Sequence, residues 1–320
     1  MEPGNKLTHP WLAAVWPGMG HVALNAGVYL LSKLGMTQVA EVETGDLFDV
    51  EAVEVEGGLV RPVRRPRSRF FLWADPNERH DLLVFVGEAQ PPAGRFAFCR
   101  RLVAFAKELG VERVFTFAAM ATRMHPARRS RVYAAATDAT NLDEMKRLEL
   151  DVLTEGHIGG LNGVLLAAAA DAGLHGACLL GEMPHIFAQL PFPKASLAVL
   201  ESFSALTGIK LDLGELSAQA EAVEEQLEEL LGRIESQLRK QNEGEGDEEG
   251  EGEGGFTPEP PDEADEEDAA RIEELFDQAA DDRSKAFELK QELDKLGRFK
   301  EYEDRFLDLF RKAEGKGGAG

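Results

Sequence analysis

The residues best placed to do chemistry are Gly18-Met19-Gly20-His21-Val22-Ala23, which follow an apolar run and open a helical pattern. They fit the dinucleotide fingerprint G-x-G-x-x-G/A, whose glycines permit a tight turn and let a pyrophosphate approach the helix N-terminus. Glu41 and Glu43 end the next strand pattern, where an acid would meet a ribose hydroxyl. The same glycines also serve any tight strand-to-helix turn, and both readings stand at this stage.

Three further glycine-bearing segments carry polar residues: Gly87-Glu88-Ala89-Gln90-Pro91, Gly156 to Gly163 with Gly160 and Asn162, and Gly181-Glu182-Met183-Pro184. Two of them end apolar strand patterns and one opens a helix. In an open α/β sheet, ligand sites lie at the C-terminal edge of the strands. The functional expectation is one rim pocket built from Gly18, Gly20, Glu88, Gln90, Gly160, Asn162, Gly163 and Glu182. The alternative is that glycine and proline only turn the chain there.

Other chemistries lack their signatures. No serine sits in G-x-S-x-G, no G-x-x-x-x-G-K-[ST] occurs, and the seven histidines show no H-E-x-x-H or paired Cys/His spacing. No catalytic residue, metal or cofactor is assigned. Cys99 and Cys178 are the only cysteines, which is no disulfide framework, and both read as small buried hydrophobes. Two arginine groups stand out, Arg61 to Arg69 and Arg123 to Arg131. They are read as basic loops, either simply solvated or meeting an acidic partner or the chain's own tail.

The elements that must position these residues alternate short apolar runs with helical patterns, as in an α/β sheet protein. Strands are expected over 11–16, 38–43, 81–86, 113–118, 130–137 and 175–180, with a hairpin around Gly57-Gly58. Helices are expected over 20–34, 94–109, 142–150, 160–172, 194–207 and 216–238. The last carries the apolar stripe Val223, Leu227, Leu230, Ile234 and Leu238, which fits either an oligomer seam or a helix packed on its own domain.

Charge divides the chain. Residues 241–320 hold 27 acids and 11 bases (net −16), which leaves −7 of the total −23 for residues 1–240. Residues 241–268 contain 14 acids and no base, and are expected to form a disordered linker. Beyond it, apolar residues from Ile272 to Phe310 recur at helical spacing, predicting two helices broken near Gly297 or before Lys285. Their apolar face must dock on its own core, on a second copy or on another protein. The negative charge disfavours nucleic acid and anionic lipid as partners, and no apolar run reaches the length of a membrane span.

Taken in order, Trp16-Pro17-Gly18-Met19-Gly20, Asp81 through Pro91, Gly159 through Leu166 and Cys178 through Pro184 resemble the landmark segments of the proteasome-assembly-chaperone family. The likeness, to its bacterial members, covers roughly residues 7–235. It implies a phosphorylase/hydrolase-like fold, a three-layer α/β sandwich around a mostly parallel or mixed sheet, here with a C-terminal helical extension. It further implies a non-catalytic, cytoplasmic, homo-oligomeric assembly factor, a trimer or tetramer, with a protein partner that is proteasome-related. The alternative is a nucleotide- or nucleoside-binding enzyme, phosphorylase-like or an ATP-dependent carboxylate-amine ligase. Two positions depart from the family pattern: His21 stands where Asn is common, and Gly318-Ala319-Gly320 replaces the hydrophobic-Tyr-any-residue tail of archaeal members. The expected division is an α/β domain over 1–215, an amphipathic helix over 216–240, the acidic linker over 241–268 and a helical tail over 269–313.

Overall fold

A computed structural model describes residues 7–43, 47–48, 53, 55–61, 64–243 and 263–311. Most of the acidic linker, residues 244–262, lies outside these, as does the chain beyond residue 311.

The centre of the molecule is set by strands that read as continuous apolar runs. Leu82–Gly87 is buried along its whole length, the pattern of a parallel strand covered on both faces. It pairs in parallel with Trp11–Val15 (β1), which pairs in parallel with Arg113–Thr122, which in turn pairs in parallel with His175–Pro184. Counting along the chain, the strands are β1, Thr37–Glu41 (β2), Val55–Glu56 (β3), Leu59–Val60 (β4), Ser68–Trp73 (β5), Leu82–Gly87 (β6), Arg113–Thr122 (β7), Val132–Ala136 (β8), Asp151–Val152 (β9) and His175–Pro184 (β10). Eight of them form a mixed sheet in the order β2-β5-β6-β1-β7-β10-β8-β9, and β3 and β4 form the separate hairpin around Gly57-Gly58.

Successive side chains of a strand point to opposite faces, and here the two faces carry different helices. Leu12, Ala14 and Trp16 join Arg95–Glu108 (α2) and Gly160–Asp171 (α4) in one core. Ala13 and Val15 join Val22–Lys33 (α1) and Pro193–Thr207 (α5) in the other, with Gly214–Glu243 (α6) outside α5. Ala139–Arg147 (α3) is capped by Asp138, whose carboxylate accepts the Asn141 N–H at 3.0 Å. The sandwich is three-layered, as expected.

The C-terminal extension is Glu263–Asp281 (α7), Ala286–Lys295 (α8) and Phe299–Asp308 (α9). The chain breaks both before Ala286 and at Gly297, so three helices form where two were anticipated. Their apolar residues, Ile272, Phe276, Phe287, Leu293, Phe306 and Phe310 among them, are buried in the same core as α1. Tyr29 meets Phe287 edge-on with ring centroids 4.5 Å apart, and the Gln38 N–H donates to the Phe310 carbonyl at 2.7 Å. Of the three docking options, the tail takes its own core.

Two expectations change. The Arg61–Arg69 stretch is not wholly loop: its end begins β5, an antiparallel strand beside β6, and Arg69 is fully buried there. β7 and β10 each run four residues past their expected ends, paired through Pro184 and Thr122, so Glu182-Met183-Pro184 is strand rather than loop.

Candidate functional site

The C-terminal ends of β1, β6, β7 and β10 gather on one rim, as their parallel registers require. The rim is closed largely by its own hydrogen bonds. Gly20 has φ +61°, and a Cβ there would sit 2.6 Å from the Met183 Sδ. Its N–H donates to the Ala188 carbonyl at 3.0 Å and its carbonyl accepts the Phe192 N–H at 2.9 Å. The amide that would cradle a pyrophosphate is thus used by the 185–192 turn. Gly18 differs: its backbone is extended, and nothing lies within 4 Å of a Cβ built on it.

Gln90 ties three segments together. Its Nε2 donates to the Pro17 carbonyl at 3.2 Å, and its Oε1 accepts the Leu161 N–H at 3.1 Å. Gly160 lies against the same Gln90 carbonyl oxygen. Gly163 is held by sterics: a Cβ there would come within 2.1 Å of the Ile158 carbonyl oxygen. Asn162 contributes its backbone carbonyl to the Thr116 hydroxyl at 3.2 Å, while its side-chain Oδ1 is buried without a hydrogen-bond partner.

The two acids of the expected pocket occupy separate networks. Glu88 is 2% exposed and accepts from Arg69 Nη2 and Arg64 Nη2, both at 3.0 Å, and from the Arg67 N–H at 3.1 Å. Arg67 and Arg69 continue to Asp304 and Asp308 of α9, and Lys300 Nζ donates to the Glu88 carbonyl at 2.8 Å. Burial lowers the Arg69 pKa, and the Glu88 carboxylate opposes that fall. Glu182 instead receives Arg131 Nε at 2.9 Å, Arg131 Nη2 at 3.0 Å and the Thr122 hydroxyl at 2.8 Å. The Arg131 hydrogen bonds hold its carboxyl below the usual glutamate range. Strand parity separates the pair: Glu88 faces the tail, whereas Glu182 lies by Tyr133, on the α4 side with Leu166 and Leu180.

The α1 N-terminus is also covered. Lys290 of α8 donates to Asn25 Oδ1 at 2.5 Å in the first turn of α1, and pairs with Asp294. His21 lies beside this pair, and its pKa is lowered, first by burial and then by Lys290. Both thiols are buried, and burial pushes each up to about 12, which leaves no ready thiolate. Among the described residues no group of three or more His, Cys, Asp or Glu could hold a metal ion, and no helix is long and apolar enough to cross a membrane.

The rim also exposes apolar side chains. Met19 is 42% exposed, Ile186 52% and Leu190 40%, on two turns joined by the Gly20–Ala188 and Gly20–Phe192 hydrogen bonds. Sequence reasoning missed this surface because Ile186 and Leu190 lie in a short apolar stretch that reads as core. The signal available was Pro191 and Pro193 close behind it, which break strand and helix and force a surface turn.

The PAC2 family model matches residues 13–231, the α/β sandwich together with much of α6. An uncharacterised protein of Methanocaldococcus jannaschii is 26% identical over 217 residues, 67% of this chain and 80% of its own length. The crystal structure of Pyrococcus furiosus PbaB, an archaeal proteasome activator, is similar with a TM-score of 0.60 and 25% identity, covering 71% of this chain and 95% of that one. A PAC2 family protein from Streptomyces avermitilis has a TM-score of 0.59 and 26% identity, covering 69% and 95%. With a family model matching well over half its length on a sheet of the same fold, this chain belongs to the PAC2 family, the family of the proteasome-assembly-chaperone homologues.

Proposed function

We propose that the protein is a non-catalytic assembly-chaperone-like factor that binds another protein through the apolar rim formed by Met19, Ile186 and Leu190. The observation that carries this reading is the use of the rim's polar groups. Gly20 and Gln90 spend their hydrogen-bonding capacity on neighbouring loops, while three large apolar side chains stay in water. Exposed apolar groups clustered on rigid turns favour a protein partner over a small polar ligand. Membership in the PAC2 family, and similarity to a protein described as a proteasome activator, support a proteasome-related partner and self-assembly into a trimer or tetramer. A cytoplasmic location follows from the same reading.

The competing reading, a nucleotide- or nucleoside-binding enzyme, would need the Gly20 amide and the α1 N-terminus. A thermal-shift series with nucleotides, nucleosides and phosphate decides between the two. No ligand is expected to raise the melting temperature, and a shift that grows with ligand concentration would contradict the non-catalytic reading.

A further inference from the structure

We propose that the arginine trough beside the rim seats an acidic peptide segment of a partner protein. The inference rests on the protein-binding reading above and deepens it by naming the partner's chemistry. Two adjoining cavities share Arg129 and Arg131. The first, of about 550 Å³, gathers Arg123, Arg128, Arg129 and Arg131 around the single carboxylate of Glu182. That carboxylate is already engaged by Arg131 and the Thr122 hydroxyl. Arg123 and Arg128 are exposed and have no ion-pair partner among the described residues, while Arg129 has only the exposed Glu201 at 3.2 Å.

Arg131 also meets Asp151 at 3.7 Å, so among the described residues Arg123 and Arg128 are the two guanidinium groups of the trough left without a carboxylate, and they form a local positive field on a chain of net charge −23. Such a field recruits carboxylates and orients them through forked hydrogen bonds. The loop that presents it is held in advance. Lys194 Nζ donates to the Pro126 carbonyl at 2.6 Å and to the Arg128 carbonyl at 3.3 Å, and the Arg128 N–H donates to the His125 carbonyl at 3.0 Å. Little ordering entropy is then lost when a ligand arrives.

Shape decides between a small anion and a peptide. The second cavity, of about 480 Å³, extends the first past Ser130, whose buried hydroxyl has no hydrogen-bond partner, and is lined there by Leu148, Leu150 and Ala198 together with the carboxylates of Glu149, Asp151 and Glu201. An elongated trough, arginine-rich at one end and mixed apolar and acidic at the other, fits an extended segment whose acidic residues sit at Arg123 and Arg128 and whose apolar residues follow them. It is continuous with the apolar rim, since His185 Nδ1 lies 2.9 Å from the Thr122 carbonyl and Ile186 follows directly.

The test uses the full chain and a fluorescein-labelled peptide of consecutive Glu residues followed by Leu and Ser, read by fluorescence anisotropy. Saturable binding is expected, weakening as salt rises. The double variant Arg123→Glu/Arg128→Glu is expected to lose about tenfold or more in affinity. Arg100→Glu, on the exposed face of α2, is the control and should bind as the wild type does. The proposal is overturned if the peptide does not bind or binds the double variant equally well. It is also overturned if inorganic phosphate displaces the peptide at comparable concentration, which would mark a small-anion site. Dissociation of self-associated protein by the double variant, without a change in peptide binding, would assign the trough to a second copy and equally overturn it. If any of these occurs while Ile186→Asp/Leu190→Asp still abolishes partner binding, only this inference fails and the protein-binding reading stands.

Discussion

Glu303 illustrates how a single side chain can oppose the packing around it. It is 0% exposed within the docked tail, with one carboxylate oxygen unpartnered and the other accepting from Lys300 Nζ at 2.5 Å. Burial raises its pKa against the pull of Lys300. A raised carboxyl contributes fully below its ordinary value of 4.5, and its contribution is lost as pH rises through the raised value. Glu41 has the opposite sign: the Arg67 hydrogen bond lowers its pKa, so its contribution is present above 4.5 and lost as pH falls through the lowered value. Glu303→Gln should therefore raise the melting temperature at neutral pH and flatten its decline as pH rises above 4.5, as calorimetry would show. A second residue-scale prediction concerns the glycines. Gly163→Ala must displace the Ile158 carbonyl and should cost about 1–3 kcal/mol, whereas Gly18→Ala should stay within about 0.5 kcal/mol, both read from denaturant midpoints. The glycine spacing alone could not separate these two, because a turn glycine and a close-approach glycine look alike until the neighbouring chain is in place.

At the scale of elements, α9 is clamped to the sheet edge by charge. Arg64, Arg67 and Arg69 reach Asp304, and Arg69 and Glu88 form a buried pair beneath it. Replacing one member of a buried pair leaves the other desolvated and uncompensated, at a cost of about 3–5 kcal/mol. Glu88→Gln should therefore lower the melting temperature and make the tail the first target of limited proteolysis, with the sandwich surviving as the protected fragment. The tail's docking was legible in α1 rather than in the tail. Val22 to Leu31 is apolar nearly all round, and such a helix needs cover on both sides. β5 was harder to read, since an arginine-rich approach suggests solvent and only the buried acid Glu88 makes Arg69 tolerable inside. The end of β10 was misjudged because Gly181 and Pro184 read as turn residues, while the long parallel register with β7 carries them as strand.

For the whole molecule, the acidic balance disfavours phosphate backbones, and the exposed apolar side chains of the rim are the surface that the proposed protein partner would cover. An α/β sheet protein was readable from strand and helix periods, and its sandwich architecture from four sequence landmarks that resemble the proteasome-assembly-chaperone family. The rim's contents were less readable, because which polar groups remain free depends on hydrogen bonds made between loops far apart in sequence, such as Gln90 to Pro17 and Leu161. The most direct test of the central claim is affinity capture from source-cell lysate with wild-type protein and with Ile186→Asp/Leu190→Asp, with mass spectrometry of the retained proteins. Wild type should retain a stoichiometric protein that the double variant loses while keeping its melting temperature. Equal retention by both, or no stoichiometric protein with either, would contradict the account.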